Sequence, residues 1–272
     1  MTALLVVLTV MGVSLGVIFG YPVWKNWRRR RLRASPFPAQ WLATVRATIP
    51  FYDQIPADLQ GQIQESIQVL LAEKQFIGCN GLVVTLEMKI QILAIAALLL
   101  FSQNHRYFPQ LKTILLYPTA YRVRHRLPVG GGMVEERQEV RLGESWSRDQ
   151  LVLAWDQVQR DLGQWQDGRN VVLHEFAHQL DQAEGPTEGV PRLAQSEAYS
   201  AWATVMTRAY RQLCADVQRG RPTVLDPYGA SSPAEFFAVA TEAFFEKPQQ
   251  LFRQQRDLYH LLRTYYGLDR LA

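Results

Sequence analysis

The stretch VVLHEFAHQLDQAE, residues 171–184, contains an HExxH pattern formed by His174, Glu175 and His178. Residues four apart lie on the same face of a helix, so the two imidazoles can bind one metal ion. Glu175 lies one step round the helix, where it can accept a proton from a water molecule on that metal. The alternative is a packed helix whose two histidines face solvent. We favour the metal-binding helix, because its other faces are apolar and its spacing is typical of zinc proteases.

A catalytic zinc ion takes three protein ligands and keeps a fourth position for water, so a third ligand must lie elsewhere in the chain. Two downstream glutamates are candidates: Glu197, 19 residues after His178, and Glu235, 57 residues after it. Glu235 also ends a capping box at 232–235, and in that role it would only stabilise the start of a helix. Local sequence leaves both candidates open.

Two further acids are candidates for supporting roles around this site. Asp181 lies one turn beyond His178 and is a candidate for orienting a ligand histidine. Glu242 lies seven residues after Glu235 on the same helix face and is a candidate for a similar role. Each of the two acids is also compatible with a solvated position on a helix surface.

The segments on either side of this helix predict an α+β fold that is mainly helical and has a small β-sheet. Helical spacing is present at 57–75, and an apolar run at 90–101 is too short to cross a membrane, so it predicts a buried helix. Strand patterns follow at 111–124, 133–140 and 151–155. Further helical patterns lie at 170–184, 194–218, 232–247 and 249–266.

The composition of the 272 residues, 48% hydrophobic and 20% charged, is that of a globular protein. Two cysteines, Cys79 and Cys214, exclude a disulfide scaffold and a cysteine-based zinc module. Residues 21–35 hold six Lys or Arg and no acid, and 23 basic and 25 acidic side chains remain outside this cluster. The main domain is therefore not a basic nucleic-acid binder, and we expect no direct contact with nucleic acid.

Residues 2–21 form an uncharged and mostly apolar run. As a helix they would span about 30 Å, which is the thickness of the hydrocarbon core of a bilayer. Tyr21, Trp24 and Trp27 follow, as aromatic residues do at a membrane interface, and then come four arginines at 28–31. A cleaved signal peptide is the alternative, but its basic residues would precede the apolar run.

The N-terminal segment therefore predicts a single-pass transmembrane helix at 1–23. A basic juxtamembrane segment and linker would follow at 24–56, because residues 34–60 contain four prolines. The metallopeptidase domain would then occupy 57–272. Since positive charge stays on the cytoplasmic side, we expect this domain to face the cytoplasm at a bacterial inner membrane.

Two segments carry a resemblance to a known family. HEFAHQLD at 174–181, followed by YGASSPAEFFAVATEAFFEKP at 228–248, resembles the MtfA (Mlc titration factor A) family of bacterial zinc peptidases. The pair is also similar to the catalytic motifs of the anthrax lethal factor domain, in which a tyrosine precedes the third-ligand glutamate by seven residues. Tyr228 and Glu235 keep that offset. A weaker similarity upstream extends the resemblance to about residues 57–250.

The resemblance implies a zincin-like metalloprotease fold with a catalytic Zn²⁺. It implies that His174, His178 and Glu235 are the zinc ligands and that Glu175 is the general base. It also implies that Tyr228 donates a hydrogen bond to the oxyanion of the tetrahedral intermediate.

One position departs from the family pattern. Some members carry a histidine in the strand region before a GESW-like segment, where it acts as an additional metal ligand. Glu135 stands at the corresponding place in this chain. The additional ligand is therefore absent here, or a carboxylate has taken its role.

Two functions follow as hypotheses. The first is a zinc metallopeptidase. The resemblance implies that its substrate is a peptide or protein, and it extends to aminopeptidase activity. An exposed strand edge at 134–140 or 151–155 would hold the substrate as an added strand. The second is a regulatory protein that binds and titrates a transcriptional repressor, as the family name implies, with the zinc site secondary. The enzyme is favoured, because structural zinc would require neither Glu175 nor Tyr228.

Overall fold

Helices cover most of the segment at 24–56 that the sequence predicts to be a linker. The structure is a computed structural model that describes residues 11, 20–102, 106–119, 121–129, 133–141, 143–147, 149–182 and 188–271, with backbone only in the strands between 121 and 147. Most of the predicted membrane helix at 1–23 lies outside the described residues, which include only residue 11 and residues 20–23 of it. The side chain of Glu135 lies outside them as well. Within the described residues, no helix combines the length and the apolarity that crossing a membrane requires.

Residues 20–33 form helix α1, and α2 (Ala39–Thr48) and α3 (Ala57–Glu73) follow it. The predicted linker at 24–56 is wrong here, since Val45, Ile49 and Tyr52 are core residues with at most 1% of their surface exposed. The prolines that suggested a linker mark helix boundaries instead: Pro38 and Pro56 each stand immediately before a helix. Proline is tolerated there because the first N–H groups of a helix have no partner within the helix.

Helix α4 (Leu86–Ala97) lies in the centre of the core, as its apolar sequence predicts. Thr85 caps it by accepting a hydrogen bond from the N–H of Met88. The helix continues into a 3-10 turn at Leu98–Leu100, and nearly every residue from Ile90 to Leu100 is buried. It packs against α2, α3 and the helix that carries the HExxH pattern.

The sheet contains β1 (Gln75–Gly78), β2 (Thr113–Tyr117), β5 (Gly143–Ser147) and β6 (Gln150–Ala154) in the order β1-β2-β6-β5. The pairs β1–β2 and β2–β6 are parallel, and β5 runs antiparallel to β6. Strands β3 (Tyr121–Val129) and β4 (Met133–Arg141) form a separate antiparallel ribbon. The strand predicted at 151–155 is therefore interior and cannot be an edge; among the described strands of this sheet, β5 is the edge beside the HExxH helix.

The C-terminal half is helical, which confirms a mainly helical α+β fold with a small sheet. Its helices are α5 (Trp155–Leu162), α6 (Val171–Asp181), α7 (Ala198–Gln218), α8 (Pro233–Glu246), α9 (Pro248–Gln254) and α10 (Arg256–Tyr266). A 3-10 turn at Pro227–Ala230 precedes α8. The single helix predicted at 249–266 is divided, because Gln255 has a non-helical backbone conformation (φ −138°, ψ 60°) that interrupts it.

Candidate metal centre

Helix α6 places the HExxH residues between the core and a partly open surface. Asn170 caps its start by accepting a hydrogen bond from the N–H of Leu173. Val172, Phe176 and their apolar neighbours fix the opposite face in the core. Glu175 and His178 are 5% and 9% exposed, so the polar face of this helix is also largely withdrawn from water.

Helix α8 brings the third candidate ligand to the two histidines. The Ser232 hydroxyl accepts a hydrogen bond from the N–H of Glu235, so this serine does cap the helix. The Glu235 carboxylate, however, lies 3.0 Å from His174 Nε2 and 3.4 Å from His178 Nε2. Glu235 therefore faces the histidines. The other candidate, Glu197, is exposed at the start of α7, where its carboxylate accepts a hydrogen bond from the Ser196 hydroxyl.

The three side chains form a group that could hold a metal ion. One ligand atom from each of His174, His178 and Glu235 lies within 4.8 Å of the others, and the two Nε2 atoms are 3.2 Å apart. Ligands of a tetrahedral zinc ion at about 2.0–2.1 Å are about 3.3 Å from one another. The spacing of the donors fits such an ion.

The protonation of this group also calls for a cation. Glu242 Oε2 lies 3.1 Å from His174 Nδ1, so the tautomer of His174 with its proton on Nδ1 donates a hydrogen bond to this carboxylate. In that tautomer a neutral His174 directs the lone pair of Nε2 at the Glu235 carboxylate. Nε2 and the carboxylate oxygen are then both hydrogen-bond acceptors and repel each other unless a cation lies between them. Without a metal that cation is a proton: burial alone would lower the pKa of His174, but Glu242 and Glu235 raise it well above its ordinary value.

The carboxylates of the site differ in their electrostatics. Burial opposes ionisation of Glu235, yet its contacts with His174 and His178 outweigh this and lower its pKa to about 2. Burial raises the pKa of Glu175, although both imidazoles oppose the rise. Glu175 Oε2 is buried and has no hydrogen-bond partner among the described residues. An ionised Glu235 thus stands beside Glu175, a carboxylate that holds a proton more readily. Hydrolytic sites use pairs of carboxylates whose pKa values differ in this way.

Tyr228 lies on the 3-10 turn just before α8. Asp226 fixes this turn by accepting a hydrogen bond from the N–H of Tyr228. Gly229 packs closely, since a Cβ there would lie 3.2 Å from Leu213 and Val239. The ring centroid of Tyr228 is 6.1 Å from that of His174, and 57% of Tyr228 is exposed. The turn therefore holds the tyrosine beside the metal-binding group with its ring open to solvent.

Asp181 contacts a loop and, among the described residues, forms no hydrogen bond with His174 or His178. It is also buried, so neither the orienting role nor the solvated position describes its contacts. Its two carboxylate oxygens accept hydrogen bonds from the N–H groups of Gly189 and Val190, at 2.7 and 2.8 Å. Gly189 packs against the start of α8, and a Cβ there would lie 2.3 Å from the carbonyl oxygen of Pro233. Asp181 thus ties α6 to the loop that braces the other ligand-bearing helix.

Glu242 has the supporting contact that its position suggests, and two acids join it at the start of α6. Glu242 Oε1 accepts a hydrogen bond from the N–H of Asn170 at 2.7 Å. Glu246 Oε2 accepts from the N–H groups of Gly168 and Arg169, and Asp161 Oδ2 accepts from that of Val171. We call Asp161, Glu242 and Glu246 the carboxylate clamp. It satisfies four successive N–H groups at the positive end of the helix.

Sequence reasoning overlooked two members of the carboxylate clamp. Glu246 was detectable, because it lies four residues after Glu242 on the same face of α8. Asp161 carried no such signal, since it lies on another helix. Burial raises the pKa of Glu246 to about 8 and that of Asp161 to about 6.

Comparisons with known proteins agree with this site. The family described as glucose-regulated metallo-peptidase M90 matches residues 24–267. An uncharacterized protein of Synechocystis sp. is 44% identical over 267 residues, which cover 98% of this chain and 97% of that protein. Proteins named Mlc titration factor A from Yersinia enterocolitica and Yersinia pestis are each 28% identical over 249 residues, covering 90% of this chain and 91% and 90% of theirs.

Proposed function

This chain belongs to the glucose-regulated metallo-peptidase M90 family, which confirms its resemblance to the MtfA proteins, and we propose that it is a zinc-dependent peptidase with a zincin-like fold. The observation that carries the proposal is the convergence of His174, His178 and Glu235. The HExxH helix and a glutamate from a later helix make the proposed site gluzincin-like. A family of metallopeptidases implies a metal ion and a peptide substrate.

Zinc is the metal that we propose for this group. Two imidazole nitrogens and one carboxylate oxygen are a donor set that catalytic zinc commonly takes. His174, His178 and Glu235 would hold the ion. When bound, zinc supplies a Lewis acid that lowers the pKa of a coordinated water to about 7.

The chain's own residues then have separate roles in hydrolysis. Glu175 accepts the proton of the attacking water and donates it to the leaving amine; its raised pKa suits both steps. The Tyr228 hydroxyl donates a hydrogen bond to the oxygen on which negative charge develops. Glu242 binds Nδ1 of His174 and keeps Nε2 of that ring available to the metal.

We propose that the substrate is an extended peptide that adds to strand β5. Among the described strands, β5 is one of the two edges of the sheet, and it lies against α6. Its backbone groups on the unpaired side can form hydrogen bonds with a peptide of any sequence. Aminopeptidase activity would additionally require recognition of the free N-terminus, which a comparison of blocked and unblocked peptides tests.

The test compares the purified chain with its Glu175→Gln variant and with Glu197→Gln, an exposed control. Zinc content and the cleavage of a peptide library and of aminoacyl reporters are measured for each. We expect Glu175→Gln to keep one zinc ion and to lose at least about 100-fold in rate, because general-base catalysis is removed. Glu197→Gln should match the unmodified chain. Cleavage by Glu175→Gln at the unmodified rate would overturn the assignment.

A second candidate function rests on the names of two relatives. The Yersinia relatives are named for titrating Mlc, and by this likeness we propose that the present chain binds a transcriptional repressor. The two functions separate in one experiment, in which repressor binding is compared for the unmodified chain and Glu175→Gln. Equal binding by both would establish a role independent of hydrolysis, and no binding by either would remove this candidate.

We also propose that the chain is anchored in the inner membrane with the peptidase domain in the cytoplasm. The apolar run at 2–21 supports this, together with the exposed rings of Tyr21, Trp24 and Trp27 and the arginines that follow. Protease protection of spheroplasts and of inverted vesicles gives the test. Digestion of the domain in intact spheroplasts would contradict the proposed orientation.

A further inference from the structure

A basic pocket lies between α1 and the turn at residues 106–109. It is a cavity of about 390 Å³, and its lining includes Asn26, Arg29, Arg30, Arg33, Arg106 and Tyr107. Four arginines thus line one concavity, and no acidic residue is present among its described lining residues. Its volume is within the range of pockets that hold small ligands.

The helical wall of the basic pocket is fixed by contacts with α3. The Arg29 guanidinium donates two hydrogen bonds to the Glu73 carboxylate, at 2.6 and 2.7 Å. The same guanidinium lies 4.9 Å from the ring centroid of Tyr107, which is 1% exposed. Arg28 also donates to the carbonyl oxygen of Ala72. These contacts hold α1 in one position, so the arginines on this face are pre-arranged.

The opposite wall is a turn held in an unusual backbone conformation. Tyr107 and Phe108 have φ angles of 42° and 48°, in the left-handed region that residues other than glycine seldom adopt. The buried Lys74 ammonium stabilises the turn by donating to the carbonyl oxygens of Phe108 and Leu111, at 2.6 and 2.7 Å. Such strain persists only where the surroundings impose it, and here it sets Arg106 opposite α1.

The charge of the pocket favours an anion. Glu73 neutralises Arg29, and Glu65 is near enough to act on the Tyr107 hydroxyl. Arg30, Arg33 and Arg106 line the same pocket, so basic side chains form most of its polar lining. Guanidinium groups bind phosphate through paired hydrogen bonds, and several around one cavity match its charge and its oxygens.

We propose that the basic pocket binds a phosphate-bearing anion. The phosphate would come from the headgroup of an anionic phospholipid or from a soluble phosphorylated compound, and the chemistry of recognition is the same for both. The exposed Trp24 and Trp27 on the same helix make a lipid the first source to test. Neither a zinc ion nor peptidase activity is needed for this binding.

Neighbouring residues of α1 supply a matched pair of variants. Arg30 and Arg31 are both exposed and carry the same charge, but Arg30 lines the pocket, whereas Arg31 lies over the Trp27 ring. Arg30→Gln and Arg106→Gln are therefore compared with Arg31→Gln in the full chain, purified in a neutral detergent. Native mass spectrometry measures binding of phosphatidylglycerol, phosphatidylcholine, inorganic phosphate and glycerol 3-phosphate, and thermal unfolding monitors folding.

We expect phosphatidylglycerol to bind more tightly than phosphatidylcholine. Arg30→Gln and Arg106→Gln should each weaken that binding about tenfold or more, while Arg31→Gln changes it less than about threefold. If glycerol 3-phosphate displaces phosphatidylglycerol at an equal concentration of the two, the source of the phosphate is a soluble compound. If it does not displace phosphatidylglycerol, the source is the lipid. An equal loss of phosphatidylglycerol affinity in all three variants would indicate a diffuse basic surface and overturn the proposal. The proposal would also be overturned if none of the four probes bound to the unmodified chain.

Discussion

Glu242 joins the start of α6 to one of the histidines that this helix carries. One carboxylate oxygen accepts the N–H of Asn170, and the other faces Nδ1 of His174. Glu242 is 5% exposed, so both contacts are shielded from water. The orientation of the His174 ring is therefore set by a residue 68 positions away in the chain.

Replacing Glu242 by Gln should weaken zinc binding by about 10- to 100-fold, since a supporting partner of a ligand histidine is lost. Gln can still accept from Asn170, so the fold should persist. Competition with a fluorescent zinc chelator measures the affinity, and Glu197→Gln is the control. Equal affinities for the two variants would show that Glu242 has no influence on His174.

At the scale of elements, α6 and α8 are joined at two places. The carboxylate clamp joins the start of α6 to the second half of α8 through Glu242 and Glu246. Asp181, at the end of α6, holds the loop at Gly189 against Pro233 at the start of α8. The two connections keep His174 and His178 at a constant distance from Glu235, so the geometry of the site depends on both.

The first connection predicts a pH dependence of stability. Burial, together with the nearby acids Asp167 and Glu242, raises the pKa of Glu246 from 4.5 to about 8, although hydrogen bonds from Asn170 and Gly168 oppose the rise. The folded chain then binds more protons than the unfolded chain between these values, so the stabilising contribution is complete below about pH 4.5 and is lost as the pH rises to about 8.

The variant Glu246→Gln cannot ionise. Its melting temperature should fall less than that of the unmodified chain between about pH 5 and pH 8. Thermal unfolding monitored by circular dichroism across this interval gives the comparison. Parallel curves for the two proteins would mean that Glu246 is ionised throughout.

The second connection predicts the effect of a side chain at Gly189. Gly189 has φ +74°, and a Cβ there would lie 2.3 Å from the carbonyl oxygen of Pro233, whereas Gly220, with φ +62°, has no atom within 4 Å of its Cβ position. Backbone strain should lower the free energy of unfolding of both Gly189→Ala and Gly220→Ala by about 1 kcal/mol. The free energy of unfolding should fall further in Gly189→Ala, because the new Cβ forces the start of α8 to shift. The same shift should weaken zinc binding.

Urea unfolding and zinc titration of the two glycine variants measure these effects. Equal stabilities and unchanged zinc affinity in both would show that the contact of Gly189 with Pro233 does not position Glu235.

At the scale of the whole molecule, the N-terminal helices belong to the same core as the metal-binding helix. Val45, Ile49 and Tyr52 are buried with α4, and α4 packs against α6. The guanidinium of Arg270 also lies over the ring of Phe51, 3.2 Å from the ring centroid. The segment after α10 therefore contacts the segment that follows α2. The match of the family from residue 24 agrees with this arrangement.

A fragment that begins at residue 57 should therefore fail to fold, whereas a fragment that begins at residue 36 should fold. The shorter fragment lacks the buried side chains between Val45 and Ile55, and each of these contributes about 1.5–3 kcal/mol, against a total stability of about 5–15 kcal/mol. Circular dichroism and thermal unfolding test both fragments. Cooperative unfolding of the fragment 57–272 would contradict this account of the core.

The sequence by itself determined the features that depend on neighbouring residues. The HExxH spacing places two histidines and Glu175 on one helix, and the Ser232 cap begins α8, because helical periodicity and capping involve residues within about four positions. The apolar run at α4 likewise predicts its burial. The motif pair led to the family, since both motifs are continuous segments.

Only the tertiary structure decided which distant groups meet. It brought Glu235 to the histidines and left Glu197 exposed, directed Asp181 to a loop, and placed Glu246 and Asp161 at the start of α6. It also made prolines in the predicted linker into helix boundaries and β5 into the edge strand. Such contacts join residues 8 to 78 positions apart, beyond the range of helical periodicity. The packing of whole helices and strands therefore selects among several partners that the local sequence permits equally.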